Sequence, residues 1–187
     1  MIPFSVQQRP RKDAQRNRER LIKAATEAFA AGQDTIRLED LAKAAGVGVG
    51  TLYRNFPSRE ALVEEVYRSE LTRLCASAER LLATRTPIDA LRTWMRRYQA
   101  FVATKRGMAE ALRAVIATGA ITSAQTREQL SGAIATLIAA GVADGTLRGD
   151  VRPQDVSASL AGVMLAAVNA AQATRMLDLL VEGLRAR

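Results

Sequence analysis

Apolar residues in this chain return every three or four positions and almost nowhere in strict alternation. Leu21, Ile22, Ala25, Ala28 and Phe29 follow that spacing, which places them along one face of a helix. The same period recurs in Leu38, Leu41, Ala42 and Ala45, then in Leu91, Trp94, Met95, Tyr98, Phe101 and Val102. It returns in Met108, Leu112, Val115 and Ile116, and in Leu130, Ile134, Leu137 and Ile138. Hydrophobic residues fill 48% of the 187 positions and aromatics only 4%, so alanine and leucine carry the pattern. An all-α chain is expected, and its length suits one large or two small domains with a sizeable core.

Glycine and proline cut the pattern into segments. Residues 1–10, with Pro3 and Pro10 among polar neighbours, are expected to be unstructured, and a first helix runs from near Lys12 to Gly32. A short second helix fits Leu38–Ala45, with Glu39 and Asp40 in the first turn, where the helix dipole favours negative charge. A third fits Val49–Asn55. Pro57 breaks the pattern, and Ser58 is placed to N-cap a long fourth helix over Arg59–Ala83. Pro87 opens another helix, Gly107 precedes one more, and Ile121–Val142 forms the next. The breaker-rich "DGTLRGDVRPQD" follows. Pro153 then suits the first position of a helix reaching about Ala170, and a last helix covers Ala173–Leu184. The boundaries expected are a flexible basic arm over 1–11, a helix-turn-helix domain over 12–62, and a helical domain over 63–187.

Charge narrows the partners. The net charge is +8, and residues 9–23 carry Arg9, Arg11, Lys12, Arg16, Arg18, Arg20 and Lys23 against Asp13 and Glu19 alone. Such a surplus suits a polyanion. A lone cysteine, Cys75, allows no intrachain disulfide and fits a reducing, cytoplasmic compartment. The absence of histidine excludes histidine-based zinc sites and Ser-His-Asp or Cys-His catalysis. With no phosphate loop or paired carboxylates, no catalytic residue, metal or cofactor is expected, and the chain reads as a non-enzyme. The N-terminus lacks a signal-peptide pattern. The longest apolar tract, around Leu160–Ala171, is too short to span a bilayer, so no membrane partner is expected.

The stretch "LAKAAGVGVGTLYRNFPSREAL", Leu41–Leu62, concentrates the chemistry. Two short helices joined by a glycine turn at Gly46 form a helix-turn-helix pattern. Val47, Leu52 and Phe56 can anchor it, leaving Val49, Gly50, Thr51, Tyr53, Arg54 and Asn55 for the other faces. Gly50 costs roughly 1 kcal/mol inside a helix relative to alanine, yet it lets the backbone approach another surface closely. Gly48 would cap the third helix with a bare amide facing a phosphate. Thr51 and Tyr53 offer hydroxyls to phosphates, Arg54 can read guanine, and Asn55 can read adenine or hold a phosphate. Arg59 is placed to neutralise backbone charge.

The segment Ala24–Leu62, and "AGVGVGTLYRNFPSREAL" above all, resembles the DNA-binding domain of TetR/AcrR-type transcriptional regulators. The likeness covers roughly residues 12–62. It implies a nine-helix, Ω-like homodimer whose N-terminal domains bind double-stranded DNA and whose C-terminal domains hold a small-molecule pocket and the dimer interface. Carried over, Gly50, Thr51, Tyr53, Arg54 and Asn55 correspond to recognition-helix contacts and Arg59 to a basic phosphate contact. Two positions depart from the family pattern. Arg37 stands where Ser or Thr usually caps the second helix, and Gly48 stands where Ser often precedes the recognition helix. The hydroxyl contacts there have no counterpart, and Arg37 offers a salt-sensitive charged contact instead.

Bulky residues of the middle region, Trp94, Tyr98, Phe101, Met108 and Leu112, suit either a core or the wall of a pocket for a lipophilic effector, with Thr118 or Asn169 as polar groups. Val156–Leu184 begins apolar or small nearly all round, which favours helix pairing across a two-fold axis. Paired recognition helices reach successive major grooves about 34 Å apart, so a palindromic operator is expected. The resulting expectation is a sequence-specific DNA-binding regulator, a repressor released by a small lipophilic ligand. The competing reading, a helical small-molecule- or lipid-binding protein without DNA function, leaves the basic arm and "GVGVGTLYRNF" unexplained. A nonspecific nucleoid binder would show no preference for a palindrome.

Overall fold

The computed structural model describes residues 8–186, which form nine α-helices. These are α1 (Gln8–Ala30), α2 (Leu38–Ala44), α3 (Val49–Asn55), α4 (Arg59–Leu82), α5 (Pro87–Arg106), α6 (Ala109–Ala117), α7 (Ser123–Ala143), α8 (Pro153–Ala166) and α9 (Ala170–Gly183). A single β-bridge, Leu147 to Arg185, lies outside them. Residues 1–7 of the expected arm lie outside the described residues, whereas Gln8–Arg11 are already helical. The first helix thus begins four residues before the expected Lys12; proline is tolerated in an opening turn, where the N–H it lacks would have no intrahelical acceptor.

Local chemistry sets the boundaries. Ser58 Oγ accepts from the Ala61 amide at 3.2 Å, the expected cap of α4. Ahead of α5, Thr86 Oγ1 donates to Asp89 Oδ2 at 2.7 Å and lies 3.4 Å from the Asp89 amide that it caps. The expected helix to Ala170 instead ends at Ala166, because Asn169 opens a new one. Asn169 Oδ1 accepts from the Gln172 amide at 2.9 Å, and Gln172 Oε1 accepts from the Val168 amide at 2.9 Å. This reciprocal cap outweighs the helix propensity of the surrounding alanines.

The helices gather into two compact units. The chain up to Tyr67 joins Ala103–Ala120 in the first, and Arg68–Val102 joins Ile121–Arg187 in the second. The division expected from sequence, at residues 62 and 63, is contiguous; the structural units are not, because α6 and the end of α5 return to the head.

In the first unit α1, α2 and α3 pack on one another. Leu21, Ala25, Phe29, Leu41, Leu52, Phe56 and Leu62 are buried there. In the second, α7 packs on α8 and α8 on α9. Trp94 is fully buried and donates its indole N–H to the Leu74 carbonyl at 3.0 Å, which removes the cost of enclosing a polar group. Arg92 reaches three carboxylates, Asp89 at 3.5 Å, Asp178 at 3.4 Å and Glu182 at 2.9 Å, tying α5 to α9.

Candidate nucleic-acid interface

The turn between α2 and α3 follows from Gly46. Its φ of 60° is a left-handed conformation that a β-carbon disfavours. The Gly46 amide donates to the Lys43 carbonyl at 3.0 Å and the Val47 amide to the Ala42 carbonyl at 2.9 Å. That is the Schellman closure of a helix, and it turns the chain directly into α3. Gly48 takes the N-cap position in extended conformation and has no capping side chain, as expected from its sequence position.

Burial then divides α3 into two faces. Leu52 and the following Phe56 are buried against the unit's core. Val49 and Tyr53 stay exposed at 41% and 42%, and Gly48, Gly50 and Arg54 are exposed beside them. Beyond its chain neighbours and its own helix backbone, a β-carbon built at Gly50 would meet no atom of the described residues within 4 Å. Internal packing therefore does not require glycine at this position.

The side chains on the open face already have partners. Arg54 Nη2 donates to Thr51 Oγ1 at 2.8 Å, which leaves the Thr51 hydroxyl proton free to donate outward. Asn55 Nδ2 donates back to the Thr51 carbonyl at 2.8 Å. The Tyr53 hydroxyl donates to Glu39 Oε1 at 2.9 Å, across the turn. Arg37, the N-cap of α2, is 77% exposed and places Nε 3.5 Å from Glu39 Oε2. Backbone amide donation at the helix start, followed by the Tyr53 hydroxyl, holds the Glu39 carboxyl below its usual range. The same carboxylate, followed by partial desolvation, pushes the Tyr53 phenol up.

Arg59, the expected phosphate contact, also meets partners within its own unit. It donates Nη1 to the Ile36 carbonyl at 2.5 Å and Nη2 to the Asp34 carbonyl, and its guanidinium lies 5.7 Å from the Phe29 ring centroid. It clasps the α1–α2 loop. Arg18 likewise pairs with Glu65 at 2.7 Å and stacks 4.7 Å from the Phe56 ring centroid, so part of the basic run holds the head together.

The expected pocket residues fall in both units. Trp94, Tyr98 and Phe101 share a buried face of α5 in the second unit, with ring centroids 6.2 and 6.3 Å apart in sequence. Met108 and Leu112 are buried in the first unit. Thr118 is exposed and donates to the Val115 carbonyl at 2.7 Å, and Asn169 is the exposed cap of α9. Sequence reasoning missed Glu39 as a partner of Tyr53, since a contact fourteen residues away leaves no local signal.

A three-helix head whose second and third helices meet at a tight glycine turn, one face of the third left open, defines a helix-turn-helix protein. Residues 21–66 match the family described as bacterial regulatory proteins, tetR family, and residues 86–186 match the C-terminal domain described as transcriptional regulator SbtR-like. The chain therefore belongs to the TetR family of transcriptional regulators.

A TetR transcriptional regulator from Streptomyces coelicolor is 43% identical, with a TM-score of 0.81 over 90% of this chain and 98% of that one. A TetR regulatory protein from Mycobacterium vanbaalenii is 30% identical, with a TM-score of 0.74 over 94% and 98%. The repressor KstR of Mycobacterium tuberculosis is 29% identical over 136 residues, 71% of this chain. An HTH-type transcriptional regulator of Staphylococcus aureus is 33% identical over 82 residues, 43% of this chain. The matched segments span 62% and 43% of those two curated relatives. Among the described residues no helix is long and apolar enough to cross a membrane.

Proposed function

We propose that the chain is a homodimeric, cytoplasmic repressor that binds a palindromic operator and is released by a small lipophilic ligand, with no catalytic activity of its own. The observation that carries this reading is the open face of α3. Val49, Gly50, Tyr53 and Arg54 are exposed together while Leu52 and Phe56 hold the helix from behind. Gly50 lets the backbone lie close to a groove wall, Thr51 and Tyr53 supply hydroxyls for phosphates, and Arg54 supplies a bidentate donor for guanine. Gly48, Asn55 and Arg37 flank that surface.

The dimer reading rests on Leu165, Val168 and Leu179, exposed at 87%, 84% and 72% on and between α8 and α9. Large apolar side chains that open are stabilised by burial against a second copy. The effector reading rests on the α5 aromatics Trp94, Tyr98 and Phe101, which offer a lipophilic molecule flat apolar walls. Ligand entry would shift α4, whose first turns belong to the head, and so change the spacing of the two recognition helices. Effector and operator would then weaken each other by the same coupling energy.

Selection of bound duplexes from a random pool, followed by footprinting, tests this. Enrichment of an inverted repeat with half-sites about one helical turn apart is the expected result. A pool that shows no enrichment at low salt would remove the operator reading.

A further inference from the structure

We propose that Glu39 is an anionic placeholder for a DNA phosphate, engaging the donors that a phosphate would use and setting the affinity for duplex DNA. The inference rests on the DNA-binding reading above and adds a residue that weakens binding rather than making a contact.

A phenol has one hydroxyl proton, and ionised phosphates and carboxylates are both acceptors. The Tyr53 hydroxyl already donates to Glu39 Oε1 at 2.9 Å. It cannot donate to a phosphate at the same time, so contact with the DNA backbone through that proton requires leaving Glu39. Arg37 has five N–H donors and is not limited in this way, but its Nε lies 3.5 Å from the other carboxylate oxygen, so Glu39 offsets part of its charge. One carboxylate thus engages two exposed donors that flank the recognition face, one from the start of α2 and one from α3. When DNA arrives, carboxylate is exchanged for phosphate at the Tyr53 hydroxyl, and the negative charge of Glu39 remains near Arg37 and the duplex. Each consequence opposes binding.

Substitution separates the charge from the hydrogen bond. Glu39→Gln keeps an acceptor oxygen for Tyr53 but removes the charge, whereas Glu39→Ala removes both. Binding is measured by fluorescence anisotropy against the selected duplex and a random-sequence duplex of equal length, across a salt series. Both variants are expected to bind both duplexes more tightly, Ala at least as tightly as Gln, by roughly two- to fivefold, as expected for an exposed charge pair. The salt dependence is expected to steepen by up to about 0.9 in log–log slope, as if one more cation were available. Tyr53→Phe is expected to cost more in the Glu39→Ala background than in the parent, because the hydroxyl is then free for phosphate.

Spectrophotometric titration of the free protein gives a readout independent of DNA: the exposed phenol is expected to titrate at lower pH in both variants. Unchanged or weaker duplex binding by stably folded variants would overturn the proposal while leaving the DNA-binding reading standing. An unshifted phenol would overturn it as well. Failure of the parent protein to bind any duplex would instead overturn the DNA-binding reading, and this proposal with it.

Discussion

The α-carbon of Gly107 rests against the main-chain carbonyl of Phe29, where a β-carbon would stand only 1.9 Å from the oxygen. Both belong to the first unit, and the contact seats the corner before α6 on the end of α1. The obstacle is backbone, which cannot rotate aside. Gly107→Ala is therefore expected to destabilise the protein by about 1–3 kcal/mol, the usual cost of overpacking. Gly132→Ala, in α7 with nothing outside its own helix within 4 Å of the new carbon, is the matched control and is expected to gain up to about 1 kcal/mol from helix propensity. Thermal melting of both variants decides; equal melting temperatures would remove the contact.

Gly50 separates folding from recognition. Its β-carbon would meet nothing within 4 Å outside its own helix, so Gly50→Ala is expected to stabilise the fold by roughly 0.5–1 kcal/mol. The added methyl would nevertheless stand between α3 and a groove wall, and operator affinity is expected to fall by about tenfold or more. A variant that is more stable and binds equally well would show that the helix does not lie flush against DNA.

Arg59 makes the opposite case. Its guanidinium bonds two carbonyls of the α1–α2 loop and stacks on Phe29. Arg59→Ala is expected to cost about 1–3 kcal/mol of stability, with the salt dependence of operator binding unchanged. A slope reduced by about one would instead identify a direct phosphate contact.

Leu165, 87% exposed on α8, is expected to carry the pairing of two copies. Leu165→Asp should shift sedimentation from dimer to monomer and abolish tight operator binding, because each half-site would then be held alone. A monomeric parent protein would remove this prediction and the proposed operator symmetry together.

Burial pushes the Cys75 thiol up to about 11. The thiolate is the reactive form, so alkylation of the folded protein is expected to be slow near pH 8 and to rise about tenfold per pH unit toward that value. Alkylation at the rate of a free thiol near pH 8 would mean that the residue is not enclosed in solution.

Local rules made much of the fold legible in the sequence. The limits of α3, the cap at Ser58 and the turn at Gly46 follow from residues lying side by side, and all were expected as they occur. The break before α9 was expected a few residues late, after about Ala170; its position is encoded locally, in Asn169 and Gln172, within an alanine-rich run. The remaining differences are non-local. No periodicity reveals that Ala103–Ala120 groups with the first unit, nor that the Arg59 guanidinium reaches carbonyls of the α1–α2 loop. Counting charges tells how many cations a chain carries, and only the fold tells which of them already hold a carbonyl or a carboxylate.

Trp94 is the chain's one tryptophan, sealed at 0% exposure with its ring centroid 6.2 Å from that of Tyr98. The protein thus carries a built-in optical probe confined to its second unit. Its emission should be blue-shifted in the native state, and a molecule lodging beside α5 should alter its lifetime. Titrations of unlabelled protein can thus be watched from a unit other than the one that carries the helix-turn-helix.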